Sequence, residues 1–123
     1  VLVGVGGLIG SISRFAIGNL TRSAYAGTSF PVGTTVVNLV GCLLVGLAAG
    51  WGETRHGLSE ASRSLLVVGF LGGFTTFSAF GYETLKLMKD GQSLYAALNV
   101  AGNVVLGLAA VWAGRYGGKI LGP

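Results

Sequence analysis

Four long apolar stretches, separated by short polar segments, account for most of this sequence. About 20 apolar residues in a helix span the hydrocarbon core of a bilayer, and each stretch has about that length. The pattern therefore predicts an all-α integral membrane protein that forms a single transmembrane domain over residues 1–123. The predicted helices run approximately over residues 1–20, 31–51, 63–85 and 94–112, and a short polar tail, Arg115 to Pro123, follows the last of them.

Composition agrees with this interpretation and excludes an ordinary soluble domain. Hydrophobic residues make up 51% of the chain and charged residues 10%, with a mean hydropathy of +0.72. The net charge of +4 does not predict nucleic-acid binding, because the cations are scattered singly and form no basic stripe. The one cysteine, Cys42, excludes an intramolecular disulfide framework.

The third stretch contains a segment that is apolar but poorly suited to a helix. Two glycines and two threonines there (Gly72, Gly73, Thr75 and Thr76) cost a helix roughly 3 kcal/mol relative to alanine, so the sequence predicts a broken third helix. Non-helical backbone at membrane depth is tolerated only where it is buried in protein or lines a polar cavity. The break therefore points to a transport site; the alternative is a glycine-rich helix that packs closely against its neighbours.

Polar side chains in three of the predicted helices lie at one depth. Counted from the ends of their helices on one face, Asn38, Ser78 and Asn103 are all roughly 10 Å inside at 1.5 Å per residue. Buried amides in a membrane mark either interhelix hydrogen bonds or a substrate path. Both remain open for each asparagine alone, Asn99 included, while the shared depth favours a lined path.

Basic residues divide almost evenly between the two faces of the membrane. Three lie on one face (Arg22, Lys86 and Lys89) and four on the other (Arg55, Arg63, Arg115 and Lys119). A strong excess of basic residues on one side normally fixes orientation. Its near absence predicts insertion in both orientations and an antiparallel homodimer; a single orientation fixed by other factors is the alternative.

Three motifs carry a resemblance to a known family. They are Gly-Phe-Leu-Gly-Gly-Phe-Thr-Thr-Phe-Ser-Ala-Phe at 69–80 followed by Glu83, Gly-Gly-Leu-Ile-Gly-Ser-Ile-Ser-Arg-Phe at 6–15, and Asn-Leu-Val-Gly at 38–41. Together they resemble the Fluc family of fluoride channels, also called CrcB-like proteins, and the resemblance covers nearly the whole chain. Ala79 departs from the pattern, since the family often has threonine there.

The resemblance implies a passive fluoride-selective channel that exports fluoride from the cell across the inner (plasma) membrane. It also implies a dual-topology antiparallel homodimer in the lipid bilayer, with a structural sodium ion at its centre held by backbone oxygens of Gly72 and Thr75. The residues implied to line the fluoride pathway are Asn38, Thr76, Phe77, Ser78 and Phe80. Aromatic ring edges carry partial positive charge that can face an anion, while hydroxyl and amide donors replace its lost water.

Two charged residues lie inside predicted helices. Arg14 and Glu83 each cost roughly 2.5–3.5 kcal/mol near the bilayer centre, so neither is expected to face lipid. One hypothesis is a structural ion pair between them. The other is that Arg14 attracts anions into a vestibule while Glu83 closes the polar track of the pathway.

Two other functions compete with a channel. A proton-coupled multidrug exporter with four spans would be expected to carry an essential carboxylate in its first helix, where this chain has Arg14. A structural membrane subunit would explain the glycines but not the aligned polar residues. An enzyme is not predicted, because no nucleophile–base pair or metal-ligand cluster occurs in the spans.

Overall fold

The computed structural model describes residues 1–123 and contains four long helices and no strands. They are α1 (Leu2–Ala24), α2 (Val32–Gly52), α3 (Glu60–Lys89) and α4 (Ser93–Leu121), and each is long and apolar enough to cross a membrane. The prediction of an all-α protein with four membrane-spanning helices is confirmed.

The start of α3 and the turn after it follow local sequence signals. Ser59 caps the helix, since its Oγ accepts the Ser62 N–H at 3.1 Å, and α3 therefore begins at Glu60 rather than near residue 63. Gly91 has a φ of 74°, which favours glycine, and it lies in the turn between α3 and α4.

The predicted polar tail is wrong, because α4 continues through that segment to Leu121. Two basic residues of the tail hold this end of α4 against α2. Glu53 accepts Nε and Nη2 of Arg115 at 2.8 and 2.9 Å, and Lys119 Nζ lies 2.8 Å from the same carboxylate. These hydrogen bonds lower the pKa of Glu53 to about 2, so the carboxylate stays ionised throughout the physiological pH range.

Close packing between α2 and α4 depends on four glycines, two in each helix. The two glycines of each helix are four residues apart. A Cβ on Gly46 would overlap the Val111 carbonyl oxygen, and a Cβ on Gly114 would overlap the Leu43 carbonyl oxygen. Gly50 and Gly118 meet backbone atoms of the opposite helix in the same way (the carbonyl oxygens of Arg115 and Leu47). Such small-xxx-small pairs allow two helix backbones to approach directly in a membrane.

The glycine contact between α2 and α4 forms one seam, and a second glycine seam joins α1 to the first half of α3. Gly6 and Gly10 of α1 lie against the backbone around Gly69 and Phe70, and a Cβ on Gly73 would come within 2.5 Å of the Gly7 carbonyl oxygen. The chain therefore forms two tightly packed helix pairs, α1 with α3 and α2 with α4.

The helical backbone of α3 is interrupted at two threonines. Thr75 has φ −82° and ψ 158°, and Thr76 has φ −148° and ψ 117°, so both are extended. Residues 60–74 precede this point, and helix Phe77–Lys89 follows it.

The fourth helix changes its packing partner along its length. Residues Ser93–Ala101 pack against Phe77–Lys89, whereas Gly107–Leu121 pack against α2. A π-helical segment, Gly102–Leu106, lies between them. Because π-helical bonds run from i to i+5, this segment changes the angular phase of the side chains and lets α4 face two neighbours.

Substituting Gly114 with alanine should destabilise the protein, because the new methyl group must push α4 away from the Leu43 carbonyl. Inserting a methyl group into a filled contact costs about 1–3 kcal/mol, so the melting temperature of the detergent-solubilised protein should fall. Gly4→Ala is the matched control, since a Cβ there meets nothing within 4 Å. Equal melting temperatures for the two variants would contradict the role assigned to the seam.

Candidate functional site

The side chain of Asn38 pairs with the extended backbone at Thr76. Its Oδ1 accepts the Thr76 N–H at 2.8 Å, and its Nδ2 donates to the Thr76 carbonyl at 3.0 Å. A primary amide has one acceptor and one donor group side by side, so it can satisfy both backbone groups of one residue, as a neighbouring strand would. Asn38 thus supplies from α2 the bonds that the interrupted helix lacks.

The interruption leaves backbone carbonyls of α3 without their helical donors, among them those of Gly72 and Thr75. In a continuous α-helix, the Thr76 N–H would donate to the Gly72 carbonyl and the Ala79 N–H to the Thr75 carbonyl. Here the Thr76 N–H donates to Asn38, and the Ala79 N–H donates to the Thr76 hydroxyl at 3.2 Å. The Thr76 hydroxyl is therefore the N-cap of the second half of α3.

Two residues of the predicted polar layer, Asn38 and Asn103, belong to a hydrogen-bonded chain that does not include Ser78. Asn38 Nδ2 also donates to Asn103 Oδ1 at 3.0 Å, and Asn103 Nδ2 donates to Asn99 Oδ1 at 3.0 Å and to its carbonyl at 2.9 Å. Asn99 is completely buried. Within the chain, the three asparagines therefore join α2 to α4, and both Nδ2 hydrogens of Asn38 are engaged.

Three threonines that the sequence did not single out contact these polar side chains, two of them at Asn99 and one at Glu83. Thr84 accepts from Asn99 Nδ2 at 2.9 Å and donates to the Phe80 carbonyl at 2.8 Å. Thr35 Oγ1 lies 3.5 Å from Asn99 Oδ1 and donates to the Pro31 carbonyl at 3.0 Å, and Thr34 donates to Glu83 Oε1 at 2.8 Å. The available signal was the Thr34–Thr35 pair, which precedes Asn38 by one turn in an otherwise apolar stretch.

A cavity of about 460 Å³ lies beside the two extended threonines. It brings together most of the residues singled out from the sequence, namely Asn38, Gly72, Thr75, Thr76, Phe77, Phe80 and Asn103. The cavity combines aromatic surface with amide and backbone polar groups.

The two phenylalanines of the cavity differ sharply in exposure. Phe80 is 9% exposed and Phe77 82% exposed, although their ring centroids are only 5.5 Å apart, with an angle of 52° between the ring planes. Ser78 is also exposed, and its hydroxyl lies 3.4 Å from that of Thr76. The site therefore begins in the core of the folded chain and ends on its surface.

The hypothesis of an Arg14–Glu83 ion pair is wrong for the single chain. Arg14 Nη1 donates to the Thr75 carbonyl at 3.5 Å and lines a cavity of about 450 Å³, whereas Glu83 lines another cavity of about 390 Å³. Glu83 Oε2 is buried without a hydrogen-bond partner. The two charged residues lie on different cavities.

Comparison with known proteins identifies the family. A family model described as CrcB-like protein, Camphor Resistance (CrcB), matches residues 1–115. The chain belongs to the CrcB-like family. The interrupted segment, the Asn38 position and the Arg14 position all fall within the matched residues.

Similar CrcB-like proteins match over nearly the whole chain. A protein of Nitratidesulfovibrio vulgaris is 44% identical over 121 residues, which cover 98% of this chain and 97% of that protein. One from Maridesulfovibrio salexigens is 41% identical over 119 residues (97% and 94%), and one from Chlorobaculum tepidum is 43% identical over 120 (98% and 94%). All three are named fluoride-specific ion channel FluC.

Proposed function

We propose that this chain is a passive fluoride-selective channel of the plasma membrane, which lets fluoride leave the cell down its electrochemical gradient. The observation that carries the proposal is the cavity beside Thr75 and Thr76, which the most specific family motif lines. Close relatives are named as fluoride channels, and the chain is a multi-pass membrane protein. Family membership leaves the multidrug exporter and the structural subunit without support.

The cavity offers fluoride two kinds of favourable contact. Fluoride is small and strongly hydrated, so a pathway must replace its water with close donors while still letting it go. The edges of Phe77 and Phe80 carry partial positive charge, and the hydroxyls of Thr76 and Ser78 can rotate toward an anion.

Asn38 and Asn103 contribute to the pathway when the hydrogen bond between them is replaced by one from Asn38 to the anion. An anion that reaches the cavity competes with Asn103 Oδ1 for the Nδ2 hydrogen of Asn38, which is 3.0 Å from that oxygen. The bonds between Asn38 and Thr76 stay intact, so the backbone does not have to rearrange. Glu83 then belongs to the polar track of the pathway, and Arg14 belongs to the vestibule. Each of them lines one of two further cavities.

Replacing Phe80 with isoleucine should lower fluoride efflux from proteoliposomes about two- to tenfold, because it removes an aromatic edge worth about 0.5–1.5 kcal/mol while keeping most of the volume. Asn38→Leu should lower efflux at least as much, because it removes a donor. Phe70→Ile is the matched control: it is the same substitution in the same helix, and Phe70 does not line the cavity.

Size-exclusion chromatography should show the same assembled species for Phe80→Ile and Phe70→Ile, which separates a lost pathway from a lost fold. Unchanged efflux through Phe80→Ile and Asn38→Leu would contradict the assigned pathway. Equal chloride and fluoride flux through the unmodified protein would contradict the function itself.

An antiparallel homodimer completes this pathway in our proposal. Phe77, Ser78 and Gly72 are exposed on the protomer, so one chain does not enclose the site. A second copy, related by a twofold axis in the membrane plane, would cover this surface with its own equivalent. The near balance of basic residues between the faces permits both orientations, and a twofold interface presents the same patch from each subunit.

Adding two lysines to the loop between α2 and α3 should fix one orientation and abolish fluoride efflux. Two lysines in the turn between α3 and α4 should fix the opposite orientation, also without efflux. Co-expression of the two versions should restore efflux, because only then can antiparallel pairs form. Full activity of either version alone would rule out the antiparallel dimer.

The residues at the interrupted helix fit a structural sodium ion. Hard cations bind oxygen ligands, and the Gly72 and Thr75 carbonyls have lost the helical donors described above. Thr75 also accepts from Arg14 at 3.5 Å, but a carbonyl oxygen has a second lone pair. Two copies would supply four such oxygens, and a bound cation there would hold the two subunits together.

Removing sodium should weaken the dimer. The protein purified in a sodium salt should melt at a higher temperature, and dissociate at a lower concentration, than in N-methylglucamine salt of equal ionic strength. Asn38→Ala should reduce this difference, because it removes the acceptor that draws the Thr76 N–H away from Gly72. Identical melting and dissociation in both salts would contradict the sodium site.

A further inference from the structure

Two cavities adjoin one another near the end of α1. One has a volume of about 390 Å³ and the other about 450 Å³, and both are lined by Gly18, Arg22, Gly33 and Thr34. Arg22 is the only charged residue common to the two. It is exposed, and its side chain takes part in no ion pair or hydrogen bond, while its charge also acts on the Glu83 carboxylate.

The charges around the first cavity cancel. Arg22 and Lys86 are the cations on its lining, and Glu83 and Asp90 are the anions. One carboxylate oxygen of Glu83 is buried without a hydrogen-bond donor, the other accepts from Thr34, and Arg22 is the cation that acts on this carboxylate. Without Arg22, this cavity would carry net negative charge and repel an anion.

The second cavity has the opposite character. Its only charged residues are Arg14 and Arg22, with no carboxylate on its lining. Arg14 lies eight positions earlier in α1 and therefore about 12 Å deeper at 1.5 Å per residue, where it contacts the Thr75 carbonyl. The two arginines mark a positive route from the end of α1 toward the interrupted helix.

We propose that Arg22 is the residue that admits anions to the channel, by keeping one cavity neutral and the other positive at the mouth of the pathway. The proposal rests on the fluoride-channel function proposed above. Arg22 acts through its field and not as a ligand: its exposed, hydrated guanidinium raises the local fluoride concentration without holding the ion. Charges that line a cleft can raise local ion concentration and entry rates about 10-fold or more.

Screening by salt distinguishes this role from a structural one. The Debye length is about 30 Å at 0.01 M ionic strength and about 3 Å at 1 M, so a field effect over the width of a cavity disappears at high salt. Fluoride efflux from neutral-lipid proteoliposomes should be measured at sub-saturating fluoride, with ionic strength set by a gluconate salt.

Arg22→Gln should lower efflux about three- to tenfold at low ionic strength, and the difference from the unmodified protein should vanish near 1 M. Arg22→Lys keeps the charge and should retain efflux at both. Lys89→Gln is the matched control, because it removes one positive charge from the same face of the membrane and Lys89 lines neither cavity. Lys89→Gln should give the same efflux as the unmodified protein. It also controls for any change in membrane orientation that the loss of one positive charge causes.

Two results would overturn the proposal: equal efflux through Arg22→Gln and Lys89→Gln at low salt, or a loss in Arg22→Gln that persists at high salt, which would indicate structural damage. Absence of fluoride efflux from the unmodified protein is a different failure, since it would contradict the proposed function itself.

Discussion

The structure depends on one constraint, namely that every backbone polar group inside a bilayer needs a partner. Each unsatisfied group in hydrocarbon costs several kcal/mol, and extended backbone at Thr75 and Thr76 creates such groups in the middle of α3. Asn38 meets this cost by bonding to both the N–H and the carbonyl of Thr76. Without this amide the interrupted helix would be unstable, and with it the Gly72 and Thr75 carbonyls are available for other contacts.

The glycine seams are what bring that amide within reach. Gly41, one turn after Asn38, has no room for a side chain because a Cβ there would overlap the Thr75 methyl group. Gly46 and Gly114 bring α2 into backbone contact with α4, so Asn38 and Asn103 can share a hydrogen bond. Glycines therefore determine where the polar side chains of the site meet, although they contribute no side chain themselves.

The buried polar residues of the site and its exposed residues have different roles. Asn99, at 0% exposure, and Asn103 serve first to hold the helices together, whereas Phe77, at 82% exposure, is directed away from its own core. A large aromatic residue so exposed beside a buried one suggests a site that is finished by a second surface. In the antiparallel homodimer proposed above, the second copy would supply that surface.

Local signals in the sequence were enough to predict four helices, the weak segment at 72–76 and the depth shared by Asn38 and Asn103, because hydropathy, helix propensity and residue counting depend only on neighbouring residues. The family motifs then supplied the fluoride hypothesis. The sequence did not reveal that α4 extends through Arg115 and Lys119, which pair with Glu53, nor that Arg14 and Glu83 lie on separate cavities. Those outcomes depend on which helix faces which neighbour. Backbone contact at the glycines and the phase change at Gly102–Leu106 determine the facing of the helices. Both act only once all four helices are packed together.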